Sequence, residues 1–238
     1  MVKIGGESPR ARLLRLAWPI MLSNVTVPLV GLADVYVIGH QPDAALLAGL
    51  GLGVSVFNLA FFAFNFLRMG TTGPTAQASG AGDEAEVRAI LFRALTLAVA
   101  IGLMLLLARP LIAYVAFSLT PADAAVEAAA EAYLSIRLLA APAALAEIVI
   151  VGWLWGLEDT RSAFVLQVVT NVVNVVLDVW FVLDLGWGVE GAAAASAIAH
   201  TLGAMIGLVL VRRKLGGFGP VPLAGVLDWR RIRRMLAV

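Results

Sequence analysis

Cysteine is absent from the chain, which excludes disulfides, thiol catalysis and cysteine-ligated metals. Histidine is nearly absent. Only His40 and His200 occur, with no H-E-x-x-H pattern around them. The phosphate-cradling loop G-x-x-x-x-G-K-[ST] is missing too, which argues against an ATP-driven engine within this chain. Charge is scarce: 14% of residues are Asp, Glu, Lys or Arg, where a soluble domain has about a quarter. The net charge of +1 gives no electrostatic reason to expect a nucleic-acid partner. Neither a cofactor nor an enzyme active site is called for.

Apolar residues fill the space that charge leaves. They make up 61% of the chain and fall in long runs. A spanning helix needs about 20 mostly apolar residues. Six stretches meet that need: Leu13–Gly39, Ala44–Phe66, Ile90–Phe117, Tyr133–Leu157, Phe164–Leu183 and Val189–Val211. Turn-forming residues separate them, as in Gly80-Ala81-Gly82-Asp83-Glu84 and Asp184-Leu185-Gly186-Trp187-Gly188. A soluble helical bundle would show a polar face at period 3.6, yet 164–183 is apolar nearly all round. The first stretch follows Lys3, Arg10, Arg12 and Arg15, as a signal peptide would. It is longer than a signal-peptide core and no small-residue cleavage site follows, so it reads as an uncleaved span.

Basic residues set the orientation. They precede the first span, surround the second loop (Arg68, Arg88, Arg93), mark the fourth (Arg161) and follow the sixth (Arg212, Arg213, Lys214). The odd loops carry acids instead: Asp43, Asp123, Asp184 and Glu190. Both termini are expected in the cytoplasm of a multi-pass protein of the inner (plasma) membrane. Trp187 suits the outer interface, and Trp153 and Trp155 the inner one. Residues 1–214 form the expected membrane lobe. Residues 215–238 form a cytoplasmic linker whose end, Arg231-Ile232-Arg233-Arg234-Met235, echoes Arg12-Leu13-Leu14-Arg15-Leu16. The echo fits the start of a truncated second repeat, or a basic amphipathic tail on anionic lipid.

Ionisable groups within a span are costly and point to function. Asp34, Arg137, Glu147 and Asp178 are of this kind, and Asn58, Asn65, Asn171 and Asn174 accompany them. Asp34 and Asp178 each lie about five residues inside the outer end of an outward-running span. Ala192 and Ser196 lie about three and seven residues inside the sixth. At 1.5 Å per residue all sit within about 10 Å of one level. Asn174 and Asp178 are four apart and share a helix face. Ala192, Ser196 and His200 make a second four-spaced stripe. Two carboxylates, an amide and a hydroxyl form a hard oxygen site for Na⁺, at Asp34, Asn174 and Asp178, or for H⁺. Against this stand plainer roles. The two Asp side chains can snorkel, Asn174 can join helices, and His200 can be structural. Tyr36, Asn171, Glu147 and Arg137 are secondary polar candidates. Glu147 and Arg137, ten residues apart, are not a direct pair. Pro28 removes a backbone donor six residues before Asp34 and is a candidate hinge.

Three segments carry a family resemblance: LAWPIMLSNVTVPLVGLADVYVIGH (16–40), RMGTTGPTAQASGAGDEAEVR (68–88) and GLEDTRSAFVLQVVTNVVNVVLDVWFVLDLGWGVEGAAAASAIA (156–199). They resemble the multidrug and toxin extrusion family, in particular its DNA-damage-inducible F subfamily. The resemblance implies an all-α integral membrane protein, a six-helix bundle forming one lobe of a two-lobe transporter. It implies antiport of drugs and other organic, often cationic, compounds against H⁺ or Na⁺. The matching cation-site positions are Asp34, Asn174, Asp178, Ala192 (through its backbone) and Ser196, where the family more often has threonine. Expected partners are membrane lipids, small-molecule drugs and a carboxy-terminal lobe. A flippase of lipid-linked substrates and an intramembrane enzyme on a lipid substrate are the alternatives.

Overall fold

The computed structural model describes residues 43–217 and, ahead of them, residues 14, 17–19, 21, 22, 31–33 and 35–40. Helices account for nearly all of them, and no strand occurs among the described residues. Asp34 and Pro28 lie outside the described residues, as does about half of the expected first span; its described residues, 14, 17–19, 21, 22, 31–33 and 35–39, are helical. The echo at Arg231 also lies outside.

Helix α1 (Ala44–Phe62) starts where Asp43 Oδ1 accepts the Ala45 N–H at 2.8 Å, the usual N-terminal cap. It does not stop at Phe66, as the hydropathy suggests. A short 3₁₀ turn, Ala63–Asn65, leads straight into α2 (Phe66–Gly80). The combined span Ala44–Gly80 has 37 residues. That is about 55 Å, longer than a hydrocarbon core of about 30 Å. Arg68 therefore sits in a helix and not in a loop. Gly82, at φ +72°, makes the turn into α3 (Glu84–Leu107), which Asp83 caps. Arg88 and Arg93 also lie in this helix, and Arg93 is buried against Glu86.

Two expected spans are broken by proline. The third, Ile90–Phe117, divides at Ala108 into α3 and α4 (Arg109–Leu119), because Pro110 cannot donate into the preceding turn. The fourth, Tyr133–Leu157, divides at Ala140 into α5 (Ala124–Leu139) and α6 (Ala141–Gly156), which meet at 56° with Pro142 in the first turn of α6. Gly102 of α3 fits against this break. A Cβ there would come within 2.4 Å of Pro142 Cα, so only glycine allows the approach. Helix α7 (Thr160–Asp178) widens into a π-helical turn, Val179–Asp184, directly after Asp178. Gly186 and Gly188, both at positive φ, lead into α8 (Gly188–Lys214).

Helix α6 is the centre of the bundle. It packs against α2, α3, α7 and α8 and is buried on nearly every face. Trp153 in α6 is wholly buried and donates its Nε1–H to Val87 O at 3.1 Å, so it is a core residue and not an interfacial one. Trp155 is partly buried, with the Arg68 guanidinium over its ring, and Trp187 is exposed at the start of α8. The periphery is apolar: Leu59, Phe62, Leu107 and Leu119 are all largely exposed. A surface of that kind belongs in lipid. Four described helices are long and apolar enough to cross a membrane, or up to five if the bent α5–α6 pair is counted as one span. The chain is an all-helical integral membrane protein.

Candidate functional site

Helices α7 and α8 run together and bring three polar groups inward. Asp178 closes α7 with 0% of its surface exposed. Asn174, one turn earlier, is also buried, as is Ser196 on α8. Asn174 Nδ2 donates to Ser196 Oγ at 3.1 Å. Its Oδ1 is buried with no hydrogen-bond partner among the described residues. Ala192, one turn before Ser196 on α8, is wholly buried. A carboxylate, an amide and a hydroxyl thus lie at one end of the α7–α8 interface. The snorkelling role considered for Asp178 does not hold, because the side chain is shut off from the surface. The amide role considered for Asn174 does hold in part, since it joins two helices.

This chemistry suits a small hard cation or a proton. A carboxylate removed from water is costly unless positive charge or a proton meets it, and an amide oxygen with no donor among the described residues adds to that demand. No three His, Cys, Asp or Glu side chains converge among the described residues, so a site for a resident transition metal is not formed there. Tyr36 does not enter the group. It is 62% exposed and its ring lies 4.4 Å from that of His40.

One turn further along both helices is a second cluster. Glu147 of α6 is buried. Thr170 Oγ1 donates to its Oε1 at 2.8 Å, and His200 Nδ1 lies 2.8 Å from its Oε2. His200 follows Ser196 by four residues on α8, and Thr170 precedes Asn174 by four on α7. Gly203 makes room for the crossing: a Cβ there would stand 2.4 Å from Thr170 Oγ1 and 2.9 Å from Glu147 Cδ. Glu147 and Arg137 are indeed not paired to each other.

Both face a cavity of about 450 Å³, walled by Phe57, Phe62, Arg137, Glu147, Asn171 and His200 among others. Asn58 and Asn65 line it as well. Gln167 and Thr170 also line it and were not singled out in the sequence. Their signal was present, since Gln167, Thr170, Asn171 and Asn174 follow each other at spacings of three, one and three, which is one face of a helix.

At the opposite end of α7, Asp159 Oδ1 accepts the Ser162 N–H at 3.1 Å and caps the helix, while Oδ2 pairs with Lys214 at the end of α8. Burial pushes the Asp159 carboxyl up, but the hydrogen bonds from Lys214 and Ser162 outweigh it and hold the group below the ordinary aspartate value. Arg88 of α3 reaches the same end and donates to the carbonyls of Leu215 and Gly217, capping α8.

Comparisons with known proteins place the chain in a family. The MatE family model matches residues 19–180. The DNA damage-inducible protein F of Escherichia coli is 42% identical over 229 residues, covering 95% of this chain and 50% of that protein. The protein described as "Probable multidrug resistance protein NorM" of Thermotoga maritima is 31% identical over 201 residues, 83% of this chain and 43% of that one. Among solved structures, an outward-facing multidrug resistance MATE family transporter of the MOP superfamily has a TM-score of 0.86 at 25% identity, with 98% of this chain and 51% of that chain covered. A MOP superfamily transporter from Pyrococcus furiosus, whose binding pocket is described as of reverse polarity, gives the same values. The chain spans about half the length of the curated relatives it matches. With the matched region extending over more than half of its residues, the chain belongs to the MatE family of multidrug and toxin extrusion transporters.

Proposed function

We infer that this chain acts as one lobe of an ion-coupled antiporter that exports organic compounds. The coupling ion, H⁺ or Na⁺, binds at Asp178 with Asn174 and Ser196, and Asp34 of the first span supplies the second carboxylate. One observation carries the reading: Asp178 is a fully buried carboxylate one turn from a buried amide, Asn174, that is bonded to the Ser196 hydroxyl on the facing helix. Such a group is stable when a cation or proton sits on it and costly when none does. Ion entry and exit can therefore change which arrangement of the helices is favoured, and the π-helical turn after Asp178 places the less regular backbone at that point. A second lobe completes the transport path, either as further sequence, a second copy or a separate partner.

Infrared difference spectroscopy of the chain in lipid nanodiscs tests the ion site. Lowering pH or adding Na⁺ should change a buried carboxyl band. Asp178→Asn should remove that band change, and Ser196→Ala should only shift it. An unchanged difference spectrum in Asp178→Asn would assign the ion elsewhere.

A further inference from the structure

The cavity beside Glu147 carries an unbalanced charge. Among the described residues, two guanidiniums, Arg68 and Arg137, and one carboxylate, Glu147, line it. Glu147 is already engaged on both oxygens, by Thr170 and by His200. Arg68 is engaged as well: it donates to Asn65 Oδ1 at 3.1 Å and lies over the Trp155 ring. Arg137 differs from both. It is only 8% exposed, and its Nε and Nη1 are buried with no hydrogen-bond partner among the described residues. Its guanidinium carbon stands 4.3 Å from the centre of the Phe57 ring, and Phe57, Phe61 and Phe62 form an aromatic wall on that side. The Phe57 face attracts the cation but accepts no fork of hydrogen bonds. Gln167 Oε1, also on the lining and without a partner, is neutral and does not offset the charge.

A buried guanidinium with open donors is incomplete. An oxyanion completes it, because a carboxylate or sulfonate accepts two parallel N–H bonds from the planar fork. An ammonium ligand does not. It would meet Arg137 as a like charge, and Glu147, the acid among the described lining residues, is held by Thr170 and His200. Over the described lining residues, two guanidiniums face one carboxylate.

We propose that this cavity binds amphipathic organic anions, with the acid group on Arg137 and the apolar body against Phe57, Phe61 and Phe62. The inference rests on the export reading above and narrows its substrate class from organic compounds in general to acids. The positive lining is a selectivity element: it rejects simple cationic drugs by repulsion and admits acids or zwitterions of matching size.

Three probes with one aromatic body test it: dansylglycine (a carboxylate), dansylglycinamide (neutral) and dansylethylenediamine (an ammonium). Each is titrated against the chain in phosphatidylcholine nanodiscs at neutral pH. Tryptophan-to-dansyl energy transfer is read, with empty nanodiscs subtracted. Dansylglycine should bind at least about tenfold more tightly than either analogue, in line with a charge-assisted hydrogen bond. Arg137→Gln should bring the three affinities within about threefold of one another. Arg137→Lys, which keeps the charge and loses the fork, should retain part of the preference. Ammonium binding equal to or tighter than carboxylate binding would overturn the inference, as would an intact preference in Arg137→Gln, or no binding of any probe at millimolar concentration. If Arg137→Gln fails to fold, the order of the three probes on the unchanged chain and on Arg137→Lys decides. These readings are of equilibrium binding in the cavity and do not depend on ion coupling. A cation-preferring cavity together with an intact ion response at Asp178 would sink this inference alone.

Discussion

Gly203 has no room for a methyl group. In Gly203→Ala the new Cβ would stand 2.4 Å from Thr170 Oγ1 and press on Glu147, so α8 has to move off α6 and α7. Overpacking of this sort costs about 1–3 kcal/mol. The variant should show a clearly lower melting temperature in detergent, while Gly51→Ala, with nothing within 4 Å of its Cβ, should change stability by less than about 1 kcal/mol. An equal effect at the two glycines would contradict the packing described. Glu147→Gln is the complementary test. It keeps an acceptor for Thr170 and loses the charge facing His200, so it should leave the ion response of Asp178 in place. Part of this site was legible in the sequence. Spacing alone put Asn174 and Asp178 on one face of one helix and Ala192, Ser196 and His200 on another. Spacing within a helix says nothing about which helices face each other. The bonds from Glu147 to Thr170 and His200 cross between helices 23 and 53 residues apart, so no local pattern announces them.

At the level of elements, one end of the bundle is tied by Asp159, Lys214 and Arg88. Asp159 caps α7 and pairs with the last residue of α8, and Arg88 caps α8 from α3. Asp159→Ala removes a cap and an ion-pair partner together. It should lower stability by about 1–2 kcal/mol, most of it from the lost cap, since a partly exposed pair contributes little. The tie is also pH-dependent. Its carboxyl titrates below the ordinary aspartate value in the folded chain, so its stabilisation is complete above the ordinary value and fades as pH falls through the lowered one. Acid melting curves of the native chain and Asp159→Asn should therefore converge as pH is lowered and part at neutral pH. Convergence at neutral pH would remove this account. The spans themselves were legible because apolar runs and loop glycines are local features. Their breaks were less so. Pro110 and Pro142 interrupt runs that hydropathy reads as continuous, and α2 continues to Gly80 because Thr, Gln and Ser are tolerated in a helix whose other face is packed on α6. Trp153 reads as an interfacial anchor from its position, yet the crossing of α3 and α6 buries it.

For the whole molecule, we propose from the asymmetry of basic residues that both termini face the cytoplasm. Reporter fusions at Pro121 and Gly186 should report the outside, and a fusion at Gly82 the inside. A cytoplasmic signal from both Pro121 and Gly186 would invert the bundle and place Asp178 at the wrong face. The chain covers about half of each curated relative described above, and in the proposed reading a second lobe completes the transport path. The central claim is that Asp178, with Asn174 and Ser196, is where the driving ion acts. Its most direct test is ion-driven export by the two-lobe transporter in proteoliposomes, with Asp178→Asn compared at equal amounts of folded protein. The account predicts that Asp178→Asn abolishes export driven by an H⁺ or Na⁺ gradient, that Asp34→Asn does the same, and that Ser196→Ala only weakens it. Full gradient-driven export by the double variant Asp34→Asn, Asp178→Asn would contradict it.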